Sequence, residues 1–201
     1  GAAVPEGPIA LVDEAPGSVR LDGVPAAAVL NGQASRVPWA RHCDWALVSI
    51  GDAGPGSLAL VELKQDGRVR VVAGANLAGE PRDEVVFHDA RCALRIEYPL
   101  PALDAPVRQL AAMARSAAIA GALESLLAQS VRYARERVQF GRPIGSFQAI
   151  QHALALLAGE TVAARTAALV AAGSAPSIAG AAPGAAFDIA VAKLRCSEAA
   201  S

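Results

Sequence analysis

The chain has 201 residues, 53% hydrophobic, 18% charged and only 4% aromatic, with 18 basic against 19 acidic side chains and a net charge of −1. That length supports one large domain or two small ones, and the apolar content excludes disorder driven by charge. The near-neutral balance argues against nucleic-acid binding through a basic surface, and so much alanine predicts closely packed helices around a few large anchors.

The N-terminal Gly1-Ala2-Ala3-Val4-Pro5 has no basic stretch and no long apolar run, so no signal peptide is expected. Short β-rich runs follow, at Ser18–Leu21, Ala46–Ile50, Leu58–Leu63, Val69–Val72 and Glu84–Phe87. Between them Asp22-Gly23, Asn31-Gly32, Gly51-Asp52 and Asp66-Gly67 read as turns. Strands this closely spaced predict a small antiparallel sandwich or barrel over residues 1–100. Trp39 and Trp45 read as its sheet anchors, and His88-Asp89 as a turn. His42, beside Arg41 and Asp44, reads as a loop residue at a strand start, although the trio also invites a catalytic reading.

Past Pro99, Pro101 and Pro106 the period changes, with the boundary near Tyr98–Asp104. Leu110, Ala114, Ala117, Gly121, Leu123 and Leu127 recur at helical spacing, predicting a helix from about Val107 to about Phe140. Gly141 and Pro143 stop it, and Ser146 is the expected N-cap of a second helix to about Val170. Thr166–Phe187 carries no charge, but its glycines and prolines read as a helix end plus a connection, not a membrane span. Phe187–Ser201 reads as a third helix that stops without a cap. The expected fold class is therefore α+β: an antiparallel β-sandwich or barrel followed by an incomplete α-helical bundle over residues 101–201. A truncated bundle exposes apolar faces, which predicts an oligomer.

Cys43, Cys92 and Cys196 are odd in number and lack metal-type spacing with His42, His88 or His152, so a reduced cytoplasmic setting and no metal site are expected. Cys196 has no histidine near it in sequence to make it a nucleophile. Glu124 and Glu160 read as solvated helix carboxylates. Neither a Walker A loop nor a GxGxxG occurs.

The segment richest in chemistry is Tyr133–His152. A helix ends in a cluster of arginines, Arg135 and Arg137, a Gly/Pro turn with Arg142 follows, and a new helix begins with open backbone N–H groups. Guanidinium forks and a helix N-terminus both favour phosphate. Phe140 and Phe147 flank the turn and can cover a flat ring, while Gln148 both donates and accepts. This is one reading, a site for a dinucleotide's pyrophosphate and adenine. A solvated arginine-rich helix end with Phe core anchors is the other. His152, one turn after Gln148, reads as a surface residue or as an adenine neighbour.

Tyr-Ala-x-x-Arg-x-Gln-Phe-Gly-x-Pro-Ile-x-x-Phe-Gln-x-Ile-Gln-His, from Tyr133 to His152, resembles the signature of the acyl-CoA dehydrogenase family. Val107–Arg132 is similar to that family's preceding long helix, and Asp188–Lys193 to its later Ala-Lys helix. Asp22 through Gln33, and Asp44-Trp45-Ala46-Leu47-Val48, are similar to its middle β domain. The likeness spans nearly the whole chain but only the central part of the family fold.

The resemblance implies an FAD flavoprotein of lipid metabolism. Such enzymes take a proton from Cα and a hydride from Cβ of an acyl-CoA, giving a 2-enoyl-CoA, and pass electrons to an electron-transfer flavoprotein or similar acceptor. It implies a homo- or hetero-oligomer in which Arg137, Gln139, Phe140, Phe147 and Gln148 contact the ADP half of an FAD held mainly by the neighbouring subunit. The catalytic base does not carry over: one family position falls at Ala111, which cannot take a proton, and the commoner one falls beyond Ser201. The family's flavin-side Trp-x-Thr falls at Arg36-Val37-Pro38, and its Thr-Glu-Pro near Val4-Pro5-Glu6-Gly7. A CoA-holding arginine falls at Ala112, with Arg115 one turn on. Three readings follow: the core of an FAD-dependent acyl-CoA dehydrogenase, a non-catalytic subunit completing a partner's FAD site, or a piece of a longer enzyme.

Overall fold

Along β4 (Trp45–Ile50) Ala46 and Val48 are fully buried while their neighbours Trp45 and Leu47 are only partly covered, the period-two pattern of a strand with one face on a core. The same logic builds the first unit. The computed structural model describes residues 6–13, 18–23, 27–51, 56–98, 106–175 and 183–201. These divide into two compact units, residues 1–108 and 109–201.

The first unit holds β1 (Ile9–Asp13), β2 (Val19–Asp22), β3 (Val29–Pro38), β4, β5 (Gly56–Glu62), β6 (Val69–Val72) and β7 (Arg82–Tyr98). Their order is β1-β4-β5-β7-β3-β2, with β6 also on β7. β7 is long enough to serve both halves: its first part pairs with β3 and β6, and its last part with β5. Val12, Leu30, Val37, Val48, Val61, Val85 and Phe87 fill the core between them. The sheet is mixed, since β1 runs parallel to β4 from Ile9↔Trp45 to Asp13↔Ser49. The other pairings of this sheet are antiparallel, as expected; β1, which was not among the expected strands, makes the parallel exception.

Asn31-Gly32 and His88-Asp89 are not turns. Both lie inside strands, where the β3–β7 register shifts between Leu30 and Gly32. Asp89 opens this bulge with a φ of 47°, and Gly32 sits at 127°. A Cβ on Gly32 would stand 2.2 Å from the Ser18 carbonyl oxygen, so only glycine fits. The Asn31 carboxamide fills the bulge, accepting from Asp89 N at 2.8 Å and donating to Asp22 Oδ2 at 3.1 Å. Asn-Gly, the strongest short turn signal, is used here to bend paired strands.

The second unit is built on α1 (Pro106–Glu136), α2 (Gln148–Gly173) and α3 (Pro183–Ala199). Ala120 and Leu123 of α1 pack with Ala164 and Ala168 of α2 and Cys196 of α3. A second cluster joins Ala171 to Ala185, Ile189 and Ala192, with Leu110 and Met113 against it. Alanine lets the helices approach closely, as the composition predicted. The inward stripe of α1 differs from the expected one: Ala114, Ala117 and Gly121 are exposed, while Ser116, Ala120 and Leu123 are buried. In so alanine-rich a helix several stripes fit the period, and the bulky Leu123, shared by both stripes, does not choose between them. Glu124 and Glu160 are not simply solvated: Glu124 pairs with Arg165 at 3.2 Å, and Glu160 with Arg195. α1 and α2 are both long and apolar enough to cross a membrane by length and composition alone. Residues 176–182, in the charge-free stretch, lie outside the described residues.

Candidate functional site

α1 ends earlier than its sequence predicts. The last helical bond here runs from Arg137 N to the Tyr133 carbonyl at 2.8 Å, and the chain then forms a two-stranded ribbon, β8 (Val138–Gln139) and β9 (Arg142–Pro143). The two residues between them, Phe140 at φ 52° and Gly141 at φ 78°, both have positive φ, the pattern of a type I′ hairpin turn. Gly141 thus serves a hairpin and not a helix cap. Ile144 N donates back to the Arg137 carbonyl at 2.8 Å, rooting the ribbon in the helix end. A signal was present: Val-Gln and Arg-Pro flank a two-residue turn containing glycine.

The turn then passes through a 3₁₀ segment, Ile144–Ser146, into α2. A Cβ on Gly145 would lie 3.0 Å from the Ala134 carbonyl oxygen, so this segment runs tightly along α1. Ser146 is not the N-cap; its hydroxyl donates to the Pro143 carbonyl at 2.7 Å. Phe147 holds the cap position, and no side chain caps the helix. The first backbone N–H groups of α2 therefore remain open to an acceptor.

Five sequence-selected residues come together here. Arg137, Gln139, Phe140 and Gln148 are exposed and Phe147 is half-buried. The Gln139 carboxamide, oriented with its oxygen toward Arg137, accepts from Nη2 at 2.7 Å and Nε at 3.2 Å. The Phe140 and Phe147 rings meet edge to face, centroids 6.2 Å apart. Phe140 is 93% exposed, an apolar ring held at the tip of a turn in a conformation that costs a non-glycine residue about 1–2 kcal/mol. Among the described residues no carboxylate pairs with Arg132, Arg135, Arg137 or Arg142. Gln148, Ala149, Gln151 and His152 line a shallow cleft on the first turn of α2. Unpaired guanidinium groups, open helix N–H groups and exposed rings together suit a ligand with phosphate and a flat aromatic ring.

The other candidates are placed differently. Ala111 lies on α1, partly buried. Arg36 opens a second bulge of β3 with a φ of 58°, and Val4 and Pro5 lie outside the described residues. Trp39 is not a sheet anchor: it is 48% exposed, donates from Nε1 to Glu80 Oε1 at 3.2 Å, and its ring lies 5.7 Å from His42. Arg41 pairs not with Asp44 but with Asp83, which sequence reasoning missed. Asp83 is fully buried and accepts from Arg41 N at 2.8 Å, Arg41 Nε at 2.9 Å and Gly74 N at 3.1 Å. Asp44 instead pairs with Lys64 at 2.5 Å. Burial pushes the Cys43, Cys92 and Cys196 thiols up, Cys92 to about 11, and Cys196 Sγ rests on the Ala164 carbonyl at 3.4 Å. The raised values lower the thiolate fraction of all three, which disfavours a nucleophilic role. Among the described residues no group of three His, Cys, Asp or Glu side chains can hold a metal ion.

Comparison with known proteins agrees with the fold. The acyl-CoA dehydrogenase C-terminal domain model matches residues 109–201. The acyl-CoA dehydrogenase IpdE2 of Mycobacterium tuberculosis is 48% identical over 62 residues, 31% of this chain and 20% of that protein. The ChsE4–ChsE5 complex from Mycobacterium tuberculosis shares the fold with a TM-score of 0.75 at 30% identity, over 95% of this chain and 51% of that one. PigA, solved with FAD and proline, has a TM-score of 0.69 at 24% identity, over 96% of this chain and 54% of that one, a likeness of fold alone. The chain thus spans about half the length of the solved proteins it matches. Residues 109–201 thus carry the acyl-CoA dehydrogenase C-terminal domain, and the chain as a whole is similar in fold to solved members of that family.

Proposed function

We propose that the chain forms part of an FAD-dependent acyl-CoA dehydrogenase, in which Arg137, Gln139, Phe140, Phe147 and Gln148 hold the ADP end of a flavin shared with a neighbouring subunit. The observation that carries this reading is the ribbon after α1, which sets a Gln139-oriented Arg137 and an exposed Phe140 beside the uncapped start of α2. The residues fit the group: the diphosphate meets guanidinium and backbone N–H donors, and the adenine meets aromatic faces. When bound, FAD supplies the hydride acceptor for α,β-desaturation of an acyl-CoA thioester. The work of this chain's residues is to bind and orient. Arg137 neutralises phosphate charge, and Gln139 limits its rotamers before the ligand arrives, lowering the ordering cost.

A second reading is favoured by a separate observation. Ala111 has no proton acceptor, and the flavin-side segment Arg36–Pro38 is a bulge ending in a residue without an N–H donor. The structural likeness includes a two-chain complex, ChsE4–ChsE5. In this reading the chain completes the FAD site of a partner that bears the base. Electrons then pass to an electron-transfer flavoprotein or a similar acceptor.

The test is purification of the full chain with its partner chains, followed by anaerobic addition of acyl-CoA thioesters of graded size. A yellow flavin chromophore that bleaches, with a product two hydrogens lighter, is the expected result. A colourless assembly that also refuses added FAD refutes the reading.

A further inference from the structure

Arg142 faces Gln139 directly across the ribbon, and Arg137 lies two residues before Gln139. Directly paired positions share a face of a ribbon, with Cβ atoms about 5 Å apart, and positions i and i+2 share it too. Gln139 and Arg142 therefore stand on one face, with Val138 and Pro143 opposed on the other, and Arg137 joins that face through its contact with the Gln139 carboxamide. The Gln139 carboxamide engages Arg137. Arg142 is held separately, its guanidinium carbon 4.3 Å above the centroid of the Phe147 ring. Stacking occupies the flat face of a guanidinium and leaves its in-plane N–H donors for an anion. Neither guanidinium has a carboxylate partner among the described residues.

We propose that Arg142 is the second cation of the nucleotide site, poised by Phe147 to take the second phosphoryl group, so that the site selects a diphosphate over a monophosphate. The proposal rests on the flavin-nucleotide reading above and goes beyond it by naming the residue that counts phosphates. Gln139 holds one guanidinium and Phe147 the other, and two linked phosphoryl groups give each a partner. A single phosphoryl group leaves one unsatisfied.

The test uses the full chain in its native assembly, stripped of flavin, with ADP and AMP as probes and calorimetry as the readout. Wild type is expected to bind ADP about tenfold or more tightly than AMP, the gain of one charge-assisted contact. Arg142→Gln weakens ADP far more than AMP and so removes most of that preference, and Arg142→Lys restores part of it. Arg137→Ala weakens both probes. If Arg142→Gln keeps the wild-type ADP preference while Arg137→Ala weakens ADP, the inference fails and the flavin-nucleotide reading stands. If wild type binds neither probe, or Arg137→Ala changes nothing, both fail. Arg142 is exposed, and an unchanged far-UV spectrum checks that its variants fold.

Discussion

Replacing Asp83 with Asn probes the polar anchor of the β unit. The wild-type carboxylate is inaccessible, and it ties the backbone at Arg41 and Gly74 to β7. Burial alone pushes its pKa up, but the Arg41 side chain, the Arg41 and Gly74 backbone N–H groups and the guanidinium charge together hold it at about 2. A free Asp titrates at about 3.9, so the difference contributes roughly 2 kcal/mol of folding free energy at neutral pH. Because the folded value is the lower one, the contribution is full above the free carboxyl's range and is lost as pH falls toward the folded value. About half of it is gone by pH 3. Asn keeps an acceptor oxygen but loses the charge and turns N–H groups toward Arg41. The Arg41 side chain is 35% exposed and can be rehydrated, which keeps the expected loss at about 2–3 kcal/mol, below that of a fully buried broken pair. The assay is direct, because the chain has two tryptophans and both, Trp39 and Trp45, lie in the β unit. Urea unfolding followed by their fluorescence should show the loss at pH 7, and a variant whose stability changes less than wild type between pH 7 and pH 3. Wild-type stability at pH 7, or an unaltered acid response, would refute the reasoning.

Three further changes test other parts of the structure. Gly32→Ala drives a Cβ to 2.2 Å from the Ser18 oxygen at a φ of 127°, and should lower the stability of the β unit, read from its urea midpoint, by at least about 2 kcal/mol. Phe140→Asn places a favoured residue in the type I′ turn. It should slow hydrogen exchange at the Ile144 amide, corresponding to about 1 kcal/mol of local stabilisation, while weakening FAD binding to the assembly. Cys92, held at about 11 chiefly by burial and against the nearby Arg95 charge, should react with iodoacetamide at pH 8 about 100-fold more slowly than an unhindered thiol.

The parts of this fold legible in the sequence are those where period and punctuation agree. β4, β5 and β6 are short β-rich runs bounded in the sequence by glycine and aspartate turn signals, and the change to helical periodicity follows the proline-rich stretch near Pro99. The rest was hidden for identifiable reasons. β3 carries Asn-Gly at a bulge, so a local turn signal conflicted with a strand that long-range pairing with β7 decides. The face of α1 was ambiguous because alanine suits both buried and exposed positions. In the candidate site the residue types and their spacing stood out, but the ribbon did not, since Gly141 and Pro143 also satisfy the rules for ending a helix. Asp83 gave no signal at all: a carboxylate becomes an anchor only when the fold brings Arg41 and Gly74 to it.

The central claim, that Arg137 helps hold a flavin nucleotide, is tested most directly by titrating FAD into the flavin-stripped assembly containing the wild-type chain or its Arg137→Ala variant, with flavin fluorescence as the readout. Loss of one charge-assisted phosphate contact predicts binding about 10- to 150-fold weaker in the variant. Equal affinity in the two proteins would contradict it.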